Sequence, residues 1–145
     1  MIRYLFFVLT IGLGFQVWEQ DSGSLYAQGS SDTLEKIEKA FRWGSSKVLK
    51  EHLNAFVSIK WGDKELKKYT QKEAVGFFKD FFQKYPPREY LRIHQGVPGK
   101  EQVYAIARYT STQLGQYRVY LLLKKERKGK RKGKYKIHDL HISEE

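Results

Sequence analysis

Tyr117-Arg118-Val119-Tyr120-Leu121-Leu122-Leu123-Lys124-Lys125, a charged run from Glu126 to Lys134, and Tyr135-Lys136-Ile137-His138-Asp139-Leu140-His141-Ile142 read as two strands joined by a turn that only water tolerates. Alternating and continuous apolar runs of this length, broken by glycines and charges, are the signature of a β-hairpin. The apolar residues upstream are arranged as if to cover one face of it. The sequence defines a fold and a compartment more sharply than a reaction.

Length and composition set the frame. The chain has 145 residues, enough for one domain and one core. It contains no cysteine, which removes disulfides, thiolate ligands, a cysteine nucleophile and a lipid-modified cysteine together. Its formal net charge is +11, a balance that favours anionic partners or simply keeps copies apart.

Residues 1–27 read as an export signal. Arg3 gives the positive n-region, Leu5 to Trp18 the apolar run, and Glu19 to Ser24 the polar c-region. The run is shorter than the roughly 20 residues that a spanning helix needs, so cleavage is expected after Ala27, leaving no transmembrane helix; the alternative reading is an uncleaved N-terminal anchor. The mature chain, 28–145, is one domain ordered from about 32 to 143. It loses one positive and two negative charges, which raises the balance to +12. A periplasmic or secreted location follows, and intracellular DNA or RNA becomes a poor partner.

From Asp32 the pattern turns helical, with Asp32 as cap, Glu35 three residues on, Leu34, Ile37, Ala40 and Phe41 as the stripe, and Gly44 as the stop. A second segment opens at Ser45 or Ser46, carries Val48, Leu49, His52 and Leu53, and ends at Asn54. His52 reads as a half-buried helix histidine rather than a ligand. A first strand around Phe56, Ile59 and Trp61, a turn at Gly62-Asp63-Lys64 and a return strand from Leu66 to Tyr69 follow. Thr70-Gln71-Lys72-Glu73 is a capping box. Behind it Ala74, Phe77, Phe78, Phe81, Phe82 and Tyr85 form the stripe of the main core helix, stopped by Pro86-Pro87. Gly76 inside it marks either a close approach or a tolerated weakness. The strands at 90–95, where Leu91 and Ile93 alternate with Tyr90, Arg92 and His94, at 103–111 and in the hairpin complete an antiparallel meander, an α+β pattern.

The chain resembles the NTF2-like cone fold and, more closely, the exported Bacteroidetes family of unknown function DUF4783. The resemblance rests on Phe77-Phe78-Lys79-Asp80-Phe81-Phe82 with Pro86-Pro87, on Ile93-His94-Gln95-Gly96, on Tyr104-Ala105-Ile106, and on the two strands quoted above. It implies N-terminal helices packed on a curved antiparallel sheet, brings no assigned reaction, and allows a homodimer formed through the sheet. The length and charge of the Arg127–Lys134 turn depart from the family pattern.

Cones of this kind often enclose a cavity between helix and sheet, and some relatives use it for acid–base catalysis, which needs a carboxylate of suitable pKa and oxyanion donors. Asp139 and His141 share one face of a strand, about 6.6 Å apart along it. His138, alternating with them, is expected on the inner face with Leu140 and Ile142. His138, His94, Arg118 and Tyr120 are therefore the cavity candidates, with the hairpin register open. No catalytic residue, metal site or cofactor is assigned: His138 and His141 project to opposite faces, and neither an elbow glycine motif nor a phosphate loop is present. Lys128, Lys130, Arg131 and Lys132 are candidate anion ligands, or a solvated tip that discourages edge pairing. The run lacks the interleaved aromatics of single-strand recognition, which argues against sequence-specific nucleic acid. The expectation is a non-catalytic domain that binds a small molecule in the cone or a protein across the sheet. The alternatives are a cavity enzyme using His138 and Asp139, and attachment of the basic tip to an anionic surface.

Overall fold

The computed structural model describes residues 23–113, 115–130 and 132–145, with side chains from residue 29 onward. The expected export signal up to residue 22, and Arg131 of the expected anion set, lie outside the described residues.

The first helix, α1 (Gly23–Trp43), starts well before Asp32. Asp32 lies inside the helix and does not cap it, because nothing between Gly23 and Asp32 breaks a helix outright; the Thr33 hydroxyl donates back to the Gly29 carbonyl at 3.0 Å within the same turn ladder. Its expected stripe is confirmed: Leu34, Ile37, Ala40 and Phe41 are buried. Gly44 ends it with φ of +61°. Gly44 N–H donates to the Phe41 carbonyl and Ser45 N–H to Ala40, the paired bonds of a Schellman stop that glycine permits. Ser45 then caps α2 (Ser46–Lys50), accepting from Val48 N–H.

The short helix ends earlier than its apolar spacing suggests. Leu53 and Asn54 already belong to β1 (Leu53–Trp61), because Ile137 N–H takes the His52 carbonyl and draws the chain into the sheet. Gly62, at φ of +55°, turns the chain into β2 (Lys67–Thr70), antiparallel to β1. Thr70 and Glu73 form the capping box that opens α3 (Gln71–Lys84). Four strands follow: β3 (Pro87–Gly96), β4 (Gln102–Ser111), β5 (Gln116–Lys125) and β6 (Tyr135–Glu144).

The strands form one six-stranded sheet in the order β2-β1-β6-β5-β4-β3. Strands β3 to β6 make the expected antiparallel meander, but β1 lies parallel to β6. The sheet is therefore mixed. Local sequence shows only that no helix separates β3 to β6; the crossover joining β1 to β6 is the whole intervening chain, α3 included, and satisfies the length a parallel pair requires.

Helices α1, α2 and α3 pack their buried side chains into one cluster with the inner face of the sheet. That inner face carries Val103, Ala105, Ala107 and Tyr109 from β4, and Tyr117, Val119, Leu121 and Leu123 from β5, all buried. Phe41 is the hub. It stacks on Tyr90 at 4.7 Å and meets Phe78, Phe82 and Tyr109 edge-on at 5.7 to 6.3 Å, each such pair adding about 0.5–1.5 kcal/mol beyond area burial. On β3, Tyr90 takes the core side, while Leu91 and Ile93 remain half-exposed. The apolar alternation there reads out of phase because the larger aromatic ring claims the space beside Phe41. Arg92 Nε stands 2.9 Å from the buried Glu38 carboxylate and ties α1 to this edge strand.

Candidate functional site

The space between α3 and the inner sheet, where a cone cavity was expected, is occupied by rings. Phe81 packs on Tyr109 at 5.1 Å and Phe82 on Tyr109 at 6.4 Å, and the Tyr109 hydroxyl donates to the Tyr85 carbonyl. Burial pushes the Tyr109 and Tyr90 hydroxyls far above their usual range, and the Tyr117 hydroxyl up to about 12. They are neutral at physiological pH.

A cleft of about 180 Å³ remains where α3 meets the end of β1, lined by Trp61, Phe77, Phe81 and Tyr85, with Asp80 and Lys84 at its rim. Trp61 is placed by the turn at Gly62 and backed by Tyr117, on which it stacks at 5.7 Å. Phe77, Phe81 and Tyr85 meet the same indole at 5.6 to 6.4 Å. Asp80 and Lys84, one helical turn apart and off the aromatic stripe, supply opposite charges. The sequence contained two signals for this cleft: a tryptophan immediately before a turn, and an acid–base pair at i, i+4 beside an aromatic stripe. Only the tertiary fold brings them together.

The four cavity candidates stand elsewhere. Tyr120 and Arg118 lie on the outer sheet face, turned away from the helices, where Arg118 pairs with Arg108 and Tyr120 with Ile106 and His141. His94 is on the same face, with Nε2 2.7 Å from the Tyr104 hydroxyl, and Tyr104 stacks on Tyr120 at 6.2 Å. His94 and Tyr120 are thus joined through Tyr104. Burial, then the neighbouring Asp139 carboxylate, pushes the Tyr120 hydroxyl up.

His138 does not share the inner face with Leu140 and Ile142. The register between β5 and β6 slips at Leu122/Leu123, which pair with Asp139 and Ile137 and leave His138 as an extra residue. Such a bulge breaks simple alternation and re-aims a side chain. Ile137 takes the core position, and His138 turns into a groove of about 360 Å³ between the β3–β4 turn and the base of the β5–β6 hairpin. Asn54 Nδ2 lies 3.4 Å from its Nδ1. Burial, then the Lys124 ammonium, holds the His138 ring below the usual histidine value; burial, then Lys136, does the same for His52. Asp139 faces outward opposite Leu122, so His138 and Asp139 do not meet in an enclosed core site. Lys128, Lys130 and Lys132 are exposed on the hairpin tip. Among the described residues no three histidine or carboxylate side chains gather as metal ligands, and no helix is long and apolar enough to cross a membrane.

Comparisons with known proteins fit this architecture. A DUF4783 family protein from Bacteroides ovatus is 24% identical, with a TM-score of 0.68 over 76% of this chain and 93% of that one. One from Bacteroides uniformis is also 24% identical, with a TM-score of 0.68 over 77% and 95%. An NTF2-like protein of unknown function from Shewanella baltica shares 11% identity, with a TM-score of 0.64 over 84% and 95%, a likeness of fold alone. No functionally curated protein matches the sequence. The family profile described as "Domain of unknown function (DUF4783)" matches residues 34–143, and the chain belongs to that family.

Proposed function

We propose that the protein is an exported, non-catalytic binding domain, periplasmic or secreted, which takes a small molecule in the Trp61 cleft. The observation that carries this reading is the concentration of Trp61, Phe77, Phe81 and Tyr85 around one open cleft with Asp80 and Lys84 at the rim. Aromatic walls with a few polar groups are what small-molecule sites use. A volume of about 180 Å³ suits a compact ligand with one flat apolar face and hydroxyl or amine edges, such as a single sugar ring or a heteroaromatic ring. The acid–base alternative at His138 and Asp139 has less support, since neither faces the space between α3 and the sheet.

Native mass spectrometry of the protein purified gently from its own host's envelope fraction tests this reading. A retained small-molecule adduct, lost in an Asp80→Ala/Lys84→Ala variant of unchanged thermal midpoint, is expected. An adduct unaffected by that variant would move the ligand away from the cleft.

A second reading, a protein partner laid across the outer sheet face, is favoured by Phe56 and Leu91, half-exposed there, with Tyr104, Ile106, Tyr120 and Leu122 between them only partly covered. A bare chain in the mass spectrum, together with a concentration-dependent dimer in solution, would favour this reading over the cleft.

A further inference from the structure

The basic character of the β5–β6 hairpin is easily assigned to its tip, yet a groove of about 360 Å³ lies at its base. Lys100, Glu101 and Gln102 from the β3–β4 turn face Lys124, Lys125, Glu126, Arg127 and Lys128 across a groove that also contains His138. Five cationic side chains stand against two carboxylates, a balance of three positive charges before His138 is counted. One of those carboxylates is already committed: Glu101 is 3.0 Å from Arg127 Nε.

The groove is held open by the backbone. Glu101 sits at φ of +61°, a left-handed conformation that a non-glycine residue adopts only when its surroundings enforce it. Its carbonyl accepts from Lys125 N–H at 2.9 Å while its carboxylate holds Arg127, so the two loops are pinned together at one residue. The bulge in β6 supplies the third wall by turning His138 out of the core. Asn54 Nδ2, an amide donor, stands at His138 Nδ1; Nδ1 is then the acceptor of the neutral ring, and Nε2 carries the proton. Lys100, Lys124 and Lys128 make no ion pair with a carboxylate among the described residues.

We propose that this groove binds a tetrahedral oxyanion, a phosphate or sulfate group, between His138 Nε2 and the ammonium groups of Lys100, Lys124 and Lys128. The site is independent of the Trp61 cleft. Ammonium groups act on such an anion as point charges, and an N–H donor in a part-buried groove adds direction. Binding is coupled to protonation of the imidazole. The groups facing His138 are Lys124 from β5, Glu126, Asp139 on its own strand and Asn54 from β1, with Lys100, Glu101, Gln102, Lys125, Arg127 and Lys128 around the groove. With the groove empty, burial and Lys124 oppose a charged ring, and so does the Asn54 amide nitrogen at Nδ1, which must give way to the amide oxygen when Nδ1 gains a proton. An oxyanion offsets burial and Lys124, so affinity rises as pH falls through the histidine range.

The test uses the protein expressed from its full sequence, residues 1–145, and purified as the host processes it. NMR follows its four histidine rings while sodium sulfate replaces sodium chloride at constant ionic strength. Sulfate remains a dianion throughout the range, so its own titration does not enter. The expected result is a saturable shift at His138, absent from His52, with sulfate bound several-fold more tightly at pH 5.5 than at pH 7.5, where moving the ring's midpoint by about one unit sets a ceiling of about tenfold. His138→Gln should abolish that pH dependence. Lys124→Gln, and separately Lys100→Gln on the exposed turn, should weaken sulfate several-fold, whereas Lys130→Gln/Lys132→Gln at the tip should not. Inorganic phosphate and glycerol phosphate distinguish the sources: equal affinity identifies a free ion, and a tighter ester identifies the terminal group of a larger ligand. A His138 shift that chloride reproduces, a tip variant that weakens sulfate as much as Lys124→Gln, or pH dependence that survives His138→Gln would each overturn the proposal.

Discussion

The Tyr104 ring lies against the bare Cα of Gly96, so close that a β-carbon on Gly96 would stand 2.5 Å from ring atom Cε1. The two residues are direct partners across β3 and β4, and an edge-strand glycine covered by a cross-strand aromatic is a recurrent way of protecting an otherwise weak position. The same ring reaches His94 and stacks on Tyr120. Gly96→Ala should therefore push Tyr104 aside and break both contacts, at a cost of about 1 kcal/mol, since the displaced atoms belong to the mobile end of a side chain. Loss of the His94–Tyr104 nuclear Overhauser contacts, with a small fall in denaturation midpoint, is the expected outcome. Retention of those contacts would show that the backbone yields instead.

Gly76 behaves differently. It is exposed on α3, and a β-carbon there would meet no neighbouring atom within 4 Å. Among the described residues no element approaches it, so its place in the helix is a tolerated weakness. Gly76→Ala should stabilise the protein by about 1 kcal/mol, visible as a higher chemical-denaturation midpoint at unchanged slope.

Thr70 and Glu73 exchange hydrogen bonds at the start of α3, with Glu73 N–H donating to Thr70 Oγ1 at 3.2 Å and Thr70 N–H to Glu73 Oε2 at 3.4 Å. Thr70→Ala should cost about 1 kcal/mol, while Thr70→Ser, which keeps the acceptor, should lose much less. Equal losses in the two variants would assign the effect to the threonine methyl group and not to the cap.

The stability profile with pH should be a plateau with two shoulders. His52 and His138 have ring pKa values lowered by burial and by neighbouring lysines, so the unfolded chain binds their protons more readily. Stability is complete above the unfolded histidine value of 6.5 and falls as pH drops below it. At the other end, burial raises Tyr90, Tyr109 and Tyr117 above 10.0. The unfolded chain then loses tyrosine protons first, and stability falls as pH rises beyond that point. Thermal midpoints by circular dichroism, read beside tyrosinate absorbance, should show the alkaline shoulder coinciding with exposure of the rings. Tyrosinate formation in a fully folded chain would contradict it.

Much of the fold was legible locally because local physics governs it. The aromatic stripe of α3, its capping box, the Gly44 stop and the turn at Gly62 are statements about neighbouring backbone groups, and each occurs where the residues place it. Asp32 shows the limit: a capping pattern specifies a helix start only if the preceding residues leave the helix, and those from Gly23 do not. Tyr90 against Leu91 shows another, since alternation alone cannot choose which phase faces Phe41.

One α+β core, the order of its elements, the hairpin and a strongly basic surface can all be read along the chain, because periodicity, turn chemistry and charge are properties of short segments. Long-range packing is what makes β1 run parallel to β6, sends His138 through a bulge into a basic groove, fills the space between α3 and the sheet with rings, and brings Trp61 to Asp80 and Lys84 at an open cleft. Each of these depends on register or packing between segments far apart in the chain, where a shift of one residue reverses the face a side chain presents.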